Sequence, residues 1–496
     1  MTYRFGVGSS ADCHVDFRRA FGARSNSARR LAKACFSAGF VVLLTLGAKA
    51  DYKDDIGYNQ LKLELGAAMF TGSGVTVSQV ESFENSNYSP DTGNSELLGK
   101  TYTLKSGPTG VSGHATTVAQ LFYGTSTSLA PGVTTIDLYE ADNWIQGGML
   151  NFGAIGTNSP KGEARDVANF SWIGTTGSAI NDQEIIRRFD YTIQQSNYVA
   201  VVGTNNGDSS TVPQLLAHNY NGITVGKTDG QHASGFTTFD TAGRVKPDIV
   251  APPSSAGTNF TSFTTPLVSG AAAGLIQTAR GTPALANGAD SRSVKAILLA
   301  GATKTEFPDW TRTSTTPLDT TFGAGELNIF NSYHILTAGE QGPSASSTVG
   351  TKGWDFGTVS TNNLLYFFDV PTGMNLDQFS VALTWNRVIT DALIGPSFIP
   401  EASVDNLNLK LFSATGFTPG LMLDSSVSAV DNVEYLFEAS LAPGRYAIEL
   451  DHGTSRTDFA LAWTGTLSVP EPSAAGALLL GAGIVGAFRR RRRDCE

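Results

Sequence analysis

Cysteine is almost missing from this sequence. Cys13, Cys35 and Cys495 are the three among 496 residues, and all lie within fifty residues of an end. If both end segments are removed, as their composition suggests below, none remains. Disulfides, thiol catalysis and Cys-ligated metal sites are then excluded. Charge is also sparse, at 16% of residues, with 34 Lys/Arg against 44 Asp/Glu and a formal net charge of −10. Residues 1–50 hold eight Lys/Arg and two Asp/Glu, and residues 473–496 hold five and two, so trimming both takes the charge to about −19. A chain so acidic is unsuited to nucleic acid or an anionic membrane surface. No internal repeat stands out. What is present is a globular composition, 41% hydrophobic with 54 glycines, which favours tight turns and short strands over a helical bundle. The length suggests two folded units.

The ends read as sorting segments. Scattered arginines and Lys33 precede an apolar run from Ala38 to Gly47, and Ala48-Lys49-Ala50 supplies small residues before a cleavage point. That order is a secretory signal peptide, expected over residues 1–50. At the other end Val469-Pro470-Glu471-Pro472 leads into an apolar stretch from Ala474 to Phe488 and five arginines, Arg489 to Arg493. Residues 468–496 resemble the PEP-CTERM signal of Gram-negative bacteria. The resemblance implies an exosortase-type sorting enzyme as partner, export to the cell envelope or surface, and transient anchoring in the inner membrane. The arginine block would stay cytoplasmic by the positive-inside rule.

Between the ends the pattern changes once. From Tyr58 to about Leu336, β-branched runs (Val75–Val80, Thr134–Leu138, Val167–Trp172, Tyr198–Val202, Gly222–Val225) alternate with helical stretches. Two helices are expected, over Ser262–Arg280 and Ser293–Ala300. Strands separated by helices give βαβ units around a mostly parallel sheet. Residues 338–351 turn polar and Gly/Ser-rich and read as a linker. Residues 352–467 then show alternating strands with no helix between them, the pattern of an all-β sandwich of jelly-roll type. The expected units are 51–337 and 352–467.

Chemistry concentrates in the first unit. Thr261-Ser262-Phe263-Thr264-Thr265-Pro266-Leu267-Val268-Ser269-Gly270 resembles the subtilisin nucleophile motif G-T-S-M-A-T-P-H-V-A-G. Lys246-Pro247-Asp248-Ile249-Val250-Ala251-Pro252 matches the K-P-D-I-V-A-P run that precedes it. Ser112-Gly113-His114-Ala115-Thr116 is similar to the histidine motif G-H-G-T-H. The chain is thereby identified as a member of the subtilisin-like serine peptidases over about residues 58–336. The resemblance implies a three-layer α/β domain acting on polypeptides, with Ser262 as nucleophile and His114 as base. It places the oxyanion donor at Asn205, in Val199-Ala-Val-Val-Gly-Thr-Asn205-Asn206-Gly207, with Asn206 one register step away. It gives Asn169-Phe-Ser171-Trp172-Ile-Gly174 as the substrate-pairing strand, with Ser171, Trp172 and Gly174 in contact. Phe322-Gly323-Ala324-Gly325-Glu-Leu-Asn328 is similar to the run that closes such domains.

The first motif departs from the family. Its strand should end in D-T-G or D-S-G, and here Val80-Glu81-Ser82-Phe83 places Glu81 on the aspartate. Glutamate can orient a catalytic imidazole, and Glu84 is a second candidate. Phe260 replaces a glycine before Thr261. Sedolisins, which carry Glu where His114 stands, do not fit. Only about 20 residues separate Ala50 from the first catalytic strand, too few for a prodomain. The functional expectation is an exported endopeptidase with a Glu81-His114-Ser262 set. The alternatives are a weak or inactive subtilisin-like binding module, and a structural surface protein. No cofactor is required by this chemistry. Ca²⁺, which subtilisin relatives often bind for stability, stays open and unplaced.

Overall fold

The computed structural model describes residues 51–153, 158–253, 259–392, 397–451 and 456–470. The signal-peptide reading, and all of the sorting segment beyond Pro470, lie outside the described residues.

Seven strands form one sheet: β1 (Thr76–Glu81), β2 (Thr101–Leu104), β3 (Thr135–Glu140), β4 (Val167–Phe170), β5 (Val199–Gly203), β6 (Ile223–Lys227) and β7 (Ile249–Ala251). Their order is β2-β3-β1-β4-β5-β6-β7 and every neighbouring pair is parallel. β1, β4 and β5 are buried almost throughout, as in a parallel sheet covered on both faces; β5 is wholly apolar, while β1 and β4 also bury Ser78, Gln79, Glu81 and Asn169. The chain leaves β1 toward one edge to make β2 and β3, then crosses back to β4 and continues toward the other edge. That reversal opens a crevice at the carboxyl ends of β1 and β4, the usual ligand position in an open parallel sheet.

Four helices matter for the site: α1 (Gly113–Tyr123), α2 (Ala179–Ser196), α3 (Thr261–Gly281) and α4 (Ser291–Gly301). α3 is buried on nearly all sides, including the run Ala271-Ala272-Ala273-Gly274. Small residues are needed there: a Cβ on Gly274 would lie 2.2 Å from the Phe70 ring. α3 starts at Thr261, so Pro266 falls in its second turn. Its missing N–H therefore frees the Ser262 carbonyl, four residues back. The Lys246-Pro247-Asp248 run is structural. Asp248 accepts from the Thr224 N–H at 2.6 Å and from Lys246 Nζ at 2.7 Å, with Lys295 of α4 3.6 Å away.

Residues 51–68 also belong to this unit. Two short helices there, Tyr52–Asp55 and Tyr58–Leu65, with Ile56 between them, bury Tyr52, Ile56, Tyr58 and Leu61 in the same apolar core as α3.

Beside a two-stranded ribbon of Val388–Asp391 and Pro400–Ser403, the second unit has eight antiparallel strands in its main sheets: β8 (Gly353–Val359), β9 (Leu364–Val370), β10 (Asn375–Trp385), β11 (Asn408–Thr415), β12 (Thr418–Ser426), β13 (Val433–Leu441), β14 (Gly444–Asp451) and β15 (Thr457–Ser468). They form two sheets, β8-β15-β10-β13 and β9-β14-β11-β12. Numbered within the unit, that is 1-8-3-6 facing 2-7-4-5, the strand order of a jelly roll. Trp385, Trp463, Phe368, Phe379 and Phe459 fill its interior. The segment 338–351 runs along this sandwich, with backbone bonds from Gln341, Ser344 and Val349 to Trp354, Leu365 and Phe367.

The two units are not beads on a string. Ala382, Val433, Tyr435, Ala460 and Ala462 on the outer face of one sandwich sheet join the core that holds Ile297 and Leu298 of α4. Polar anchors flank this seam. Arg387, almost fully buried, pairs with Asp190 of α2 at 2.6 Å and with Asp240. Arg187 serves Asp240 as well, so Asp190 depends most on Arg387. Arg387→Met is expected to destabilise the protein by about 3–5 kcal/mol, the usual result of stranding one half of a buried ion pair. A lowered denaturant midpoint would show it; an unchanged one would mean that the seam contributes little to stability.

Candidate active site

The sheet crevice gathers residues that are far apart in sequence. Glu81 is the last residue of β1 and is 1% exposed. His114 is the second residue of α1, whose first turn is fixed by the Ser112 cap: Ser112 Oγ accepts from the Ala115 N–H at 3.0 Å. His114 Nδ1 lies 2.8 Å from Glu81 Oε2. A carboxylate only accepts, so Nδ1 donates and carries the hydrogen. In the neutral ring Nε2 is then unprotonated, the form a general base needs. Burial opposes the imidazolium, but the charge and hydrogen bond of Glu81, with the charge of Glu84, outweigh it and raise the His114 pKa above its ordinary value.

Glu84 plays a different part from Glu81. Its Oε2 accepts from Ser112 Oγ at 2.8 Å and from the His114 backbone N–H at 3.0 Å, at the N-terminus of α1. The bond from the His114 N–H is the main cause that holds the Glu84 carboxyl below its usual range, against a smaller effect of burial.

Ser262 sits in the first turn of α3, where backbone N–H groups have no acceptor within the helix. Its hydroxyl donates to the Ser171 carbonyl at 3.3 Å. Among the described residues no hydrogen bond joins Ser262 to His114, although both line one cleft of about 400 Å³. The Ser262 carbonyl freed by Pro266 accepts from Ser171 Oγ at 3.0 Å. Behind it, Asn169 Nδ2 donates to Ser171 Oγ at 2.8 Å, and Ser269 Oγ donates to Asn169 Oδ1 at 2.9 Å. The Asn-x-Ser pattern therefore ties the end of β4 to α3 by its side chains. Its backbone continues along the cleft through Trp172 and Ile173, while Gly174 is not among the lining residues.

Asn205 and Asn206 follow β5 and both line the cleft. They differ in what holds them. Among the described residues, Asn205 Oδ1 accepts only from the adjacent Asn206 N–H, at 2.8 Å. Asn206 Oδ1 accepts from the Thr261 N–H at 2.8 Å and from Thr261 Oγ1 at 3.2 Å. That pins the Asn206 amide to the residue before Ser262. Phe260 is 41% exposed and lines the same cleft; its ring is 5.9 Å from that of Phe263, which packs 5.7 Å from the His114 ring.

Sequence reasoning missed Ile173, the anchoring of Asn206, and Gln79 of β1. Gln79 Nε2 donates to Glu81 Oε1 at 2.9 Å. A polar residue inside a strand buried on both faces was the available signal.

The sequence model of the Subtilase family matches residues 85–325, and that of the PEP-CTERM protein-sorting motif matches residues 468–493. The Subtilase match covers just under half of the chain. The matched span contains His114, Asn205, Asn206 and Ser262 and begins just after Glu81, where the sequence departs from the family pattern. Several solved structures are similar to this chain at low identity. The self-cleaved protease domain of PatA is 19% identical, covering 55% of this chain and 100% of its own, with a TM-score of 0.36. A cold-adapted subtilisin-like serine proteinase is 19% identical over 52% of this chain and 88% of its own, also at 0.36. Fervidolysin from Fervidobacterium pennivorans, a keratinolytic enzyme related to subtilisin, is 13% identical over 82% of this chain and 78% of its own, again at 0.36. Among curated proteins nothing matches. The sorting motif points to export in a Gram-negative bacterium. Among the described residues no helix is long and apolar enough to cross a membrane, and no group of three or more His, Cys, Asp or Glu side chains is arranged to hold a metal ion.

The pair geometry has a direct readout. An NMR titration of the His114 ring is expected to give a pKa above the ordinary 6.5 or so, and Glu81→Gln is expected to lower it. A value unchanged by Glu81→Gln would mean that the 2.8 Å contact is not made in solution.

Proposed function

We propose that this subtilase is a serine endopeptidase that cleaves extended polypeptides through an acyl-enzyme, with Glu81, His114 and Ser262 as its catalytic set. The observation that carries this reading is the Glu81–His114 hydrogen bond, buried on one side and opening on the other into the cleft that also holds Ser262. Ser262 Oγ attacks the scissile carbonyl carbon while its proton passes to His114 Nε2. Glu81 stabilises the imidazolium so formed. The proton then moves to the leaving amine as the C–N bond breaks, and water repeats the sequence to release the acyl group. For this the Ser262 hydroxyl turns from the Ser171 carbonyl toward His114; such bonds are often absent before substrate binds. The substrate strand lies along Ser171, Trp172 and Ile173, with Gly174 beyond.

The oxyanion is held by the Ser262 backbone N–H and one Asn amide. Asn206 suits this better than Asn205, because its carbonyl is fixed against Thr261 and its Nδ2 is left to donate. Asn206→Ala is expected to lower kcat about 10²–10³-fold, and Asn205→Ala far less; the reverse ranking would restore the sequence assignment.

The side chains suffice for this chemistry without a cofactor, and Ca²⁺ binding is left as an unplaced stabilising role. The signal peptide and the PEP-CTERM segment fit delivery to the cell envelope or surface. An exosortase-type enzyme would act near Pro470-Glu471-Pro472 while the stretch from Ala474 to Phe488 and the arginines that follow hold the chain in the inner membrane. A binding module of subtilisin fold is the second reading. The Ser262 hydroxyl on Ser171 and the exposed Phe260 favour it. A fluorophosphonate, which bonds covalently only to an activated serine, separates the two. Labelling of the full-length protein, lost in Ser262→Ala, is expected. A folded protein that takes no label would establish the binding module instead.

A further inference from the structure

Gln79 lies two residues before Glu81 on β1, so both side chains leave the same face of the strand. The amide is fully buried and hydrogen-bonded at both its nitrogen and its oxygen. Nε2 donates to Glu81 Oε1 at 2.9 Å and to the Ala115 carbonyl at 2.9 Å, and Oε1 accepts from the Tyr123 hydroxyl at 2.5 Å. Two acceptors on one side and a donor on the other allow only this orientation. Tyr123 is also fully buried, and burial pushes its hydroxyl far above the ordinary value, so it remains a donor. Ala115 follows His114 on α1, and Tyr123 ends the same helix.

We propose that Gln79, oriented by Tyr123, is a positioning residue that fixes the rotation of the Glu81 carboxylate and ties it to the first turn of the helix bearing His114. The inference rests on the peptidase reading for its catalytic consequence and on geometry for the rest. A glutamate has one more rotatable bond than an aspartate, and a single contact to His114 would leave its second oxygen without a partner inside the core. Gln79 supplies that partner. By bonding the Ala115 carbonyl with the same nitrogen, it sets the carboxylate and the imidazole in one frame. Gln79 is thus specific to the longer acid: an aspartate at position 81 draws the carboxylate back by one methylene, out of the grip of this amide.

The test is a double-mutant cycle on the full-length protein with Gln79→Met, Glu81→Asp and the pair. It is read by the rate of fluorophosphonate labelling at saturating and subsaturating probe, and by NMR titration of His114. The carboxylates facing His114 are Glu81 and Glu84, and Glu84 is unchanged throughout. Gln79→Met is expected to slow the maximal labelling rate about tenfold with little change in probe binding, and to lower the His114 pKa. In the Glu81→Asp background it is expected to change either by less than a factor of two. Equal losses in both backgrounds would make Gln79 a packing residue and overturn the proposal, as would a His114 pKa that Gln79→Met leaves in place. If the parent protein takes no label, the peptidase reading fails, while the titration alone still decides the positioning. Should Gln79→Met not fold, Tyr123→Phe removes a single hydroxyl and carries the test. A smaller fall in the His114 pKa supports the proposal, and none overturns it.

Discussion

A carboxylate that is 1% exposed at the end of a central strand dominates the economy of this site. Burying a charge is costly unless it is paired and hydrogen-bonded. Glu81 meets that condition with one oxygen on the His114 ring and the other on Gln79. The charge then favours the imidazolium, which lets a half-buried histidine keep a raised pKa against its own desolvation. Each neighbour serves this pairing: Ser112 and Glu84 fix the start of α1, Ala115 bonds Gln79, and Tyr123 closes the network at the far end of the same helix.

The Ser262 side of the cleft is built on a second constraint. Pro266 cannot donate to the Ser262 carbonyl, so a buried acceptor appears at the start of α3. Ser171 fills it, and Asn169 and Ser269 complete the chain. One substitution pattern thus explains both the proline in the helix and the serine on the neighbouring segment. It also places the backbone of that segment beside the Ser262 hydroxyl. Asn206 then fixes the other side of the helix start through Thr261.

The sandwich contributes through packing. Its outer sheet shares an apolar core with α4, and α4 packs within the same cluster as α3, so the helix bearing Ser262 and the jelly roll are linked through continuous close-packed side chains. Residues 51–68 are committed to the same core. The buried Arg387 and its two aspartates set the register between the units, a role in which a desolvated ion pair offers geometry more than net stability.

Much of this was legible in the linear chain because periodicity and motif are local. Strand positions from Val75 to Val225, the two helices around Ser262 and Ser293, and the switch to an alternating β pattern after residue 352 all appear within a residue or two of where they fold. Glu81 could be placed on the family's aspartate position because the strand before it fixes its register. Sequence alone could not decide which asparagine is held against Thr261, that Pro266 falls in the second turn, or that Gln79 grips Glu81 from behind. Those facts depend on where β1, β4, β5 and the helix starts meet, and a one-residue difference in a loop such as Thr204-Asn205-Asn206 changes the partner without changing the pattern. The sequence by itself determined most of the sheet strands and two helices, the family resemblance and the candidate reacting groups. Only the tertiary structure decided which buried polar atoms satisfy one another, because desolvation makes each of them find a partner, and the partners lie on other elements of the chain.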